Sequence, residues 1–196
     1  MRLNLFLYAK TKKELILRKL ILFSWLILSA CTTKVSTLHQ DVDVLKNTDY
    51  GYLLMSIDTN QSLYQLDIYG DKSLYLTYYD LRAGSNYLLV QIPAGNYYLG
   101  KIKLSRNYYF TLEKEDWQFH IEPNVISYIG EFSMETRGYF SNSANLKMLN
   151  KSSYALEFME KEFPSILANR EIHYNGAGED DFLLKMTRQI KSAQIQ

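Results

Sequence analysis

From Gly51 to Phe132 apolar residues recur at every second position in short runs, and that period of two confines the chain to a sheet-built body. Leu53, Met55 and Ile57 alternate with Tyr52, Ser56 and Asp58. Tyr64, Leu66 and Ile68 form a second row; Leu74, Leu76 and Tyr78 a third; Leu88, Val90 and Ile92 a fourth. Tyr108–Leu112, Trp117–Ile121 and Val125–Phe132 continue the train. Turn residues separate the runs: Asp58-Thr-Asn60, Gly70-Asp71, Arg82-Ala-Gly84-Ser-Asn86, Pro93-Ala-Gly95-Asn96 and Ser105-Arg-Asn107. A strand about every ten residues describes a sandwich or barrel. Seventeen tyrosines fit that reading, because aromatic side chains favour strands. The alternation changes phase between Leu99 and Ile102, so Gly100 marks an expected β-bulge.

The pattern changes after Phe132. Residues 133–150 are polar, with weak strands expected at Arg137–Phe140 and Asn145–Leu149. A helix capped by Ser152 or Ser153 would bury Ala155, Leu156, Met159 and Phe163, and Pro164 limits it. A second helix would start within Glu179–Asp181 and bury Phe182, Leu183, Met186 and Ile190. Its acidic start and basic end match the helix dipole. The expected architecture is a mainly β, antiparallel sandwich of about seven strands over 51–150, with two helices as a C-terminal extension over 151–196. Residues 32–50 are polar with weak periodicity and are expected to form an extended tether.

The amino-terminal region has a different logic. Arg18-Lys19 precedes an apolar run from Leu20 to Ala30. Its eleven residues reach about 16 Å, too short to cross a bilayer. A basic segment, a short apolar core and small residues before a cut describe a secretory leader. The stretch Leu28-Ser29-Ala30-Cys31 resembles the lipobox of bacterial lipoproteins. The resemblance implies removal of residues 1–30 and acylation of Cys31, the one cysteine in the chain. Without residues 1–30 the chain keeps sixteen basic and twenty acidic groups, a formal charge of −4. That balance argues against nucleic acid, whose phosphates demand clustered Lys and Arg. Thr32 stands where an Asp would imply inner-membrane retention in such lipoproteins, so the resemblance implies the outer membrane, on the periplasmic face.

Ile92-Pro-Ala-Gly-Asn-Tyr-Tyr-Leu99 resembles the strand–turn–strand element of transthyretin-like and carboxypeptidase-regulatory-like domains, and Phe119–Gly130 resembles a later element of similar lipoproteins. The resemblance covers about residues 51–132 and implies a sandwich that serves as a structural or binding module.

Candidate chemistry is sparse. There is no Gly-x-Ser-x-Gly, and no catalytic residue or cofactor is assigned. The histidines are His39 in the tether, His120 on a strand and His173 between the helices. His120 and Glu122 share a strand face and could offer two metal ligands, but a third cannot be named, and an outward polar face explains them better. Gly176-Ala-Gly178 opens a helix as a phosphate loop would, yet Glu179–Asp181 would repel phosphate there. Glu113, Glu115 and Asp116 lack the spacing of a calcium loop and fit a solvated turn. Tyr52, Tyr75 and Tyr79 are candidates for an outward aromatic face that could stack on sugars or dock a protein; cross-strand packing is the plainer explanation. The expectation is therefore a membrane-anchored, non-enzymatic module with an envelope protein as partner. A ligand-binding lipoprotein using an aromatic face is the second reading and an envelope hydrolase the third.

Overall fold

The computed structural model describes residues 32–45, 48–138 and 143–194 of the 196-residue chain. Cys31 and the expected leader before it lie outside the described residues, as does the second half of the expected strand Arg137–Phe140.

Eleven strands are described: β1 (Thr33–Lys34), β2 (Tyr50–Thr59), β3 (Gln65–Gly70), β4 (Leu74–Thr77), β5 (Gly84–Pro93), β6 (Gly95–Lys103), β7 (Tyr109–Thr111), β8 (Gln118–Ile121), β9 (Ile126–Thr136), β10 (Ala144–Leu149) and β11 (Ile172–Tyr174). Three helices accompany them: α1 (Ser152–Glu162), α2 (Pro164–Asn169) and α3 (Phe182–Gln194). The outer sheet runs β1-β4-β3-β6-β7, with β8 also on β6. The central sheet runs β10-β9-β2-β5, with β11 also on β9. The two sheets share one core. Leu53, Met55 and Ile57 of β2, with Val90 and Phe132 beside them, meet Leu66, Ile68, Leu76, Leu99 and Ile102 of the outer sheet. The period-two rows of the sequence supply this core, except at Tyr64 and Tyr78, which are exposed at the ends of their rows.

The central sheet is buried on its second face too. Tyr52, Leu54, Leu89, Ile126 and Tyr128 pack under Ala155, Leu156, Met159, Phe163, Ile166, Leu167 and Leu183. The helices are thus a third layer and not an appendage. This explains why every residue from Gly51 to Ile57 is buried, although the sequence was expected to alternate there. It also corrects the expected antiparallel arrangement: β2 and β9 run parallel at the centre of the sheet, and β11–β9 and β1–β4 are parallel as well. Parallel strands suit a sheet covered on both faces.

Other differences have local causes. Pro164 ends α1 as expected, but it also starts α2 from the first helical position, where its missing N–H costs nothing. His173 lies between two helices as expected, on a short strand, β11, that was not expected there. On α3 Leu183 is buried as expected, but Phe182 is 38 % exposed, and Thr187 is buried instead. The bulge at Gly100 is present: Asp67 pairs with Lys101 and Ile68 with Leu99. A second bulge, at Gly130 (φ 111°), sets Leu54 against Tyr128 and Ser56 against Glu131.

The largest departure concerns the expected tether. Thr33 N–H donates to the Ser73 carbonyl (2.8 Å), Val35 N–H to Tyr75 (2.9 Å) and Leu38 N–H to Leu89 (2.8 Å). The Asp41 carboxylate accepts the Ser165 and Ile166 N–H groups at 2.7 and 3.0 Å, capping α2. Asp43 accepts from Arg170 Nε at 2.7 Å and from the Tyr52 hydroxyl at 3.0 Å. Residues 33–45 are therefore strapped across the body, and Leu45 enters the helix-side core.

Candidate functional site

Residues of the outer sheet that do not enter the core point away from the central sheet. β3 contributes Gln65, Asp67 and Tyr69, β6 contributes Asn96 and Tyr98, and β8 contributes Gln118 and His120. Register aligns them: Tyr69 lies opposite Tyr98, Tyr98 opposite Gln118, and Asn96 opposite His120. Tyr69, Asn96, Tyr98, Gln118 and His120, together with Asp71, Lys114 and Asn175, line an open cleft of about 900 Å³, and Gln65 and Asp67 stand beside it.

An aromatic pair forms its floor. The Tyr69 and Tyr98 rings are 5.7 Å apart at 58°, and Lys114 Nζ sits 5.7 Å from the Tyr98 centroid. Gly100 makes this possible, because a Cβ there would run into the Tyr69 ring. Burial, reinforced by the neighbouring Asp67 carboxylate, pushes the Tyr69 hydroxyl up to about 12, so it remains a donor at neutral pH. That hydroxyl donates to Asp67 Oδ2 (3.2 Å), which also meets Lys103 Nζ at 3.5 Å, while Gln65 Nε2 donates to Asp67 Oδ1. At the other end Asp71 Oδ2 accepts the Asn96 N–H (2.9 Å), and His120 Nδ1 lies 2.9 Å from Asn96 Oδ1. The rings and the polar groups around them are preorganised.

A second polar cluster adjoins the cleft through Asn175. His173 Nδ1 is 2.9 Å from Glu122 Oε2 and its Nε2 is 3.1 Å from Glu171 Oε2. Asn175 Nδ2 bridges Glu122 and Ser127 Oγ at 2.9 and 3.0 Å, and the Glu122 N–H donates to the same Oγ at 3.0 Å. Serine, histidine and carboxylate are brought together, but not as a nucleophile and its base. Ser127 is fully buried, and both imidazole nitrogens face carboxylates, so neither is placed to take a serine proton. The carboxylates flank the ring from opposite sides and share no centre. Among the described residues no three His, Cys, Asp or Glu groups are arranged to hold a metal.

A third polar group lies under the helices. Glu131 is 2 % exposed; it meets Lys151 Nζ at 2.7 Å and accepts from Ser56 Oγ at 3.2 Å. It closes the seam between the central sheet and the start of α1.

The sequence-derived candidates are redistributed. Tyr52, expected outward, is fully buried on the helix-facing side, where its hydroxyl holds Asp43; burial first, then Asp43, pushes it up to about 12. Tyr75 is half-buried on the outer sheet, and Tyr79 is 64 % exposed beyond the end of β4. The three do not form one face. His120 and Glu122 separate: His120 stays in the cleft and Glu122 turns to His173. Glu113, Glu115 and Asp116 are exposed at a short 3₁₀ turn, and Lys114 among them is the residue that reaches the cleft. Tyr69 and Tyr98 were missed as site residues. Their signal was the phase change at Gly100, which leaves a bare patch of backbone beneath an outward ring.

Comparison with protein-family models, curated proteins and solved structures finds no match to this chain.

Proposed function

We propose that this chain is a lipid-anchored envelope protein that works by binding, and that the outer-sheet cleft holds a hydroxyl-rich ligand such as an envelope glycan. The carrying observation is the Tyr69–Tyr98 pair set over Gly100 and ringed by Asn96, Gln118, His120 and Lys114. Aromatic faces cover the apolar faces of sugar rings, and the amides and charged groups around them match hydroxyls. A flat apolar patch would have suited a protein partner better. The buried Ser127 and the doubly engaged His173 count against turnover. The anchor reading rests on Leu28-Ser29-Ala30-Cys31 and places the body at the periplasmic face of the outer membrane. The resemblance of residues 51–132 to transthyretin-like sandwiches supports a binding or structural module.

Titration calorimetry of the detergent-solubilised full chain with envelope glycan fragments tests this. Tyr69→Ala and Tyr98→Ala should each weaken binding about tenfold, the equivalent of about 1.4 kcal/mol. If no fragment binds, or if both variants bind as the parent does, the ligand reading falls and docking to an envelope protein takes its place.

A further inference from the structure

The strap that carries the chain away from Cys31 leaves almost no free tether. Thr33 is already hydrogen-bonded to Ser73, and Lys34 lies opposite Tyr75 in the β1–β4 ladder. Two residues of extended chain reach about 7 Å. An acyl chain on Cys31 therefore holds the outer sheet's β1–β4 edge at the bilayer surface, whereas a 19-residue tether over residues 32–50 would have let the body float roughly 60 Å away.

That edge is built for such a place. Tyr78 and Tyr79 are 45 % and 64 % exposed, and their rings sit 4.2 Å apart. Lys34 Nζ lies 5.6 Å from the Tyr79 centroid, and Arg82 stands within electrostatic reach of Tyr78. The acids nearby are engaged elsewhere: Asp80 is buried and accepts the Thr37 N–H at 3.0 Å, and Asp71 is drawn to the Asn96 N–H in the cleft. Exposed tyrosines flanked by Lys and Arg are what the water–lipid boundary favours, with rings at headgroup depth and cations among phosphates. The patch departs locally from the net negative charge of residues 31–196.

We infer that the β1–β4 edge, through Lys34, Tyr78 and Tyr79, is a second membrane contact that lays the body flat on the phospholipid headgroups beside its own anchor. The inference rests on the acylation of Cys31.

The test uses the full acylated chain reconstituted in vesicles of phosphatidylethanolamine and phosphatidylglycerol. With Cys31 acylated, an introduced cysteine is a unique thiol for a fluorophore. A label at Ser36→Cys, beside the patch, should lose access to an aqueous quencher and be quenched by spin-labelled lipid. A label at Ser153→Cys, on α1, should remain accessible. Tyr78→Ser with Tyr79→Ser, or a flexible 20-residue Gly/Ser insertion after Thr32, should restore access at residue 36 while the protein still floats with the vesicles. Equal access at 36 and 153, or protection that survives both changes, overturns the contact and leaves the anchor standing. Failure of the full chain to float, or flotation of Cys31→Ser to the same extent, overturns the anchor and the contact with it.

Discussion

Glu131 shows how one charge can bind two layers together. It is almost wholly buried, at a bulge where Gly130 turns the strand, and Lys151 at the start of α1 answers it at 2.7 Å. Removing the lysine leaves an uncompensated buried carboxylate. Lys151→Ala should cost about 3 kcal/mol in urea unfolding, and Lys151→Met with Glu131→Gln should recover much of that. A Lys151→Ala protein that unfolds like the parent would show the pair to be incidental. Tyr52 is a second such residue. Its ring is core, and its hydroxyl donates to Asp43 while accepting the Val44 N–H at 3.0 Å. Tyr52→Phe should cost about 1 kcal/mol, the value of a hydrogen bond, while Tyr52→Ala should cost about 3–5 kcal/mol because it also empties a core site. The pattern Tyr-Leu-Leu-Met from 52 to 55 carried a signal for this: a nearly continuous apolar run fits a strand buried on both faces better than alternation does.

Among the elements, the strap over residues 33–45 has the most distinctive chemistry. Burial alone would raise the Asp43 carboxyl, but the Arg170 guanidinium, the Leu45 N–H and the Tyr52 hydroxyl together hold it below the ordinary value. Asp41 is likewise lowered, with burial outweighed by the Ser165 and Ile166 N–H groups. Carboxyls depressed in the folded state contribute stability that is present above the unfolded value, about 4, and is lost as pH falls through the folded value. Amide protection in the strap, taken relative to the intrinsic exchange rate, should therefore fall below about pH 4 ahead of protection in β2 and β9, and Asp43→Asn should flatten part of that dependence. A chain beginning at Tyr50 should melt at a lower temperature, since it lacks the Asp41 cap and uncovers Tyr52; an unchanged midpoint would show the strap to be ornamental. In the outer sheet Trp117, 5.5 Å from Phe132, closes the edge of the core, and Trp117→Ala should cost about 3 kcal/mol. Strand spacing, the Gly100 bulge and the α1 boundary were all legible, because each has a local cause in period, glycine or proline. The strap was not. Its polar residues form caps and ion pairs with partners more than a hundred positions away, and polar composition alone looks like solvated chain.

At the scale of the molecule, anchor and cleft make one testable unit. Cys31→Ser should abolish labelling by a lipid precursor and release the protein from membranes, and an unlabelled parent protein would remove the anchor from the account altogether. The three histidines separate the readings. His39→Gln with His173→Gln should spare complementation of a deletion strain if binding is the activity, whereas His120→Gln, in the cleft, should weaken it. Loss of complementation by His173→Gln alone, with folding normal, would revive the enzyme reading. Much of this molecule was determined locally. The sheet class follows from apolar periodicity, α1 and α3 from their amphipathic stretches, though Lys151 and not Ser152 or Ser153 stands at the α1 N-cap, with no side-chain cap bond, and the expected anchor from the residues around Cys31. The tertiary structure decided what local chemistry cannot encode: the parallel pairing of β2 with β9, the burial of Tyr52 and the separation of Glu122 from His120. It also decided the meeting of Tyr69, Tyr98 and Lys114. Pairing partners are chosen by burying both faces of a sheet at once, and that choice depends on the helices that arrive last in the chain. A cleft is the sum of side chains from strands that meet only after that choice is made.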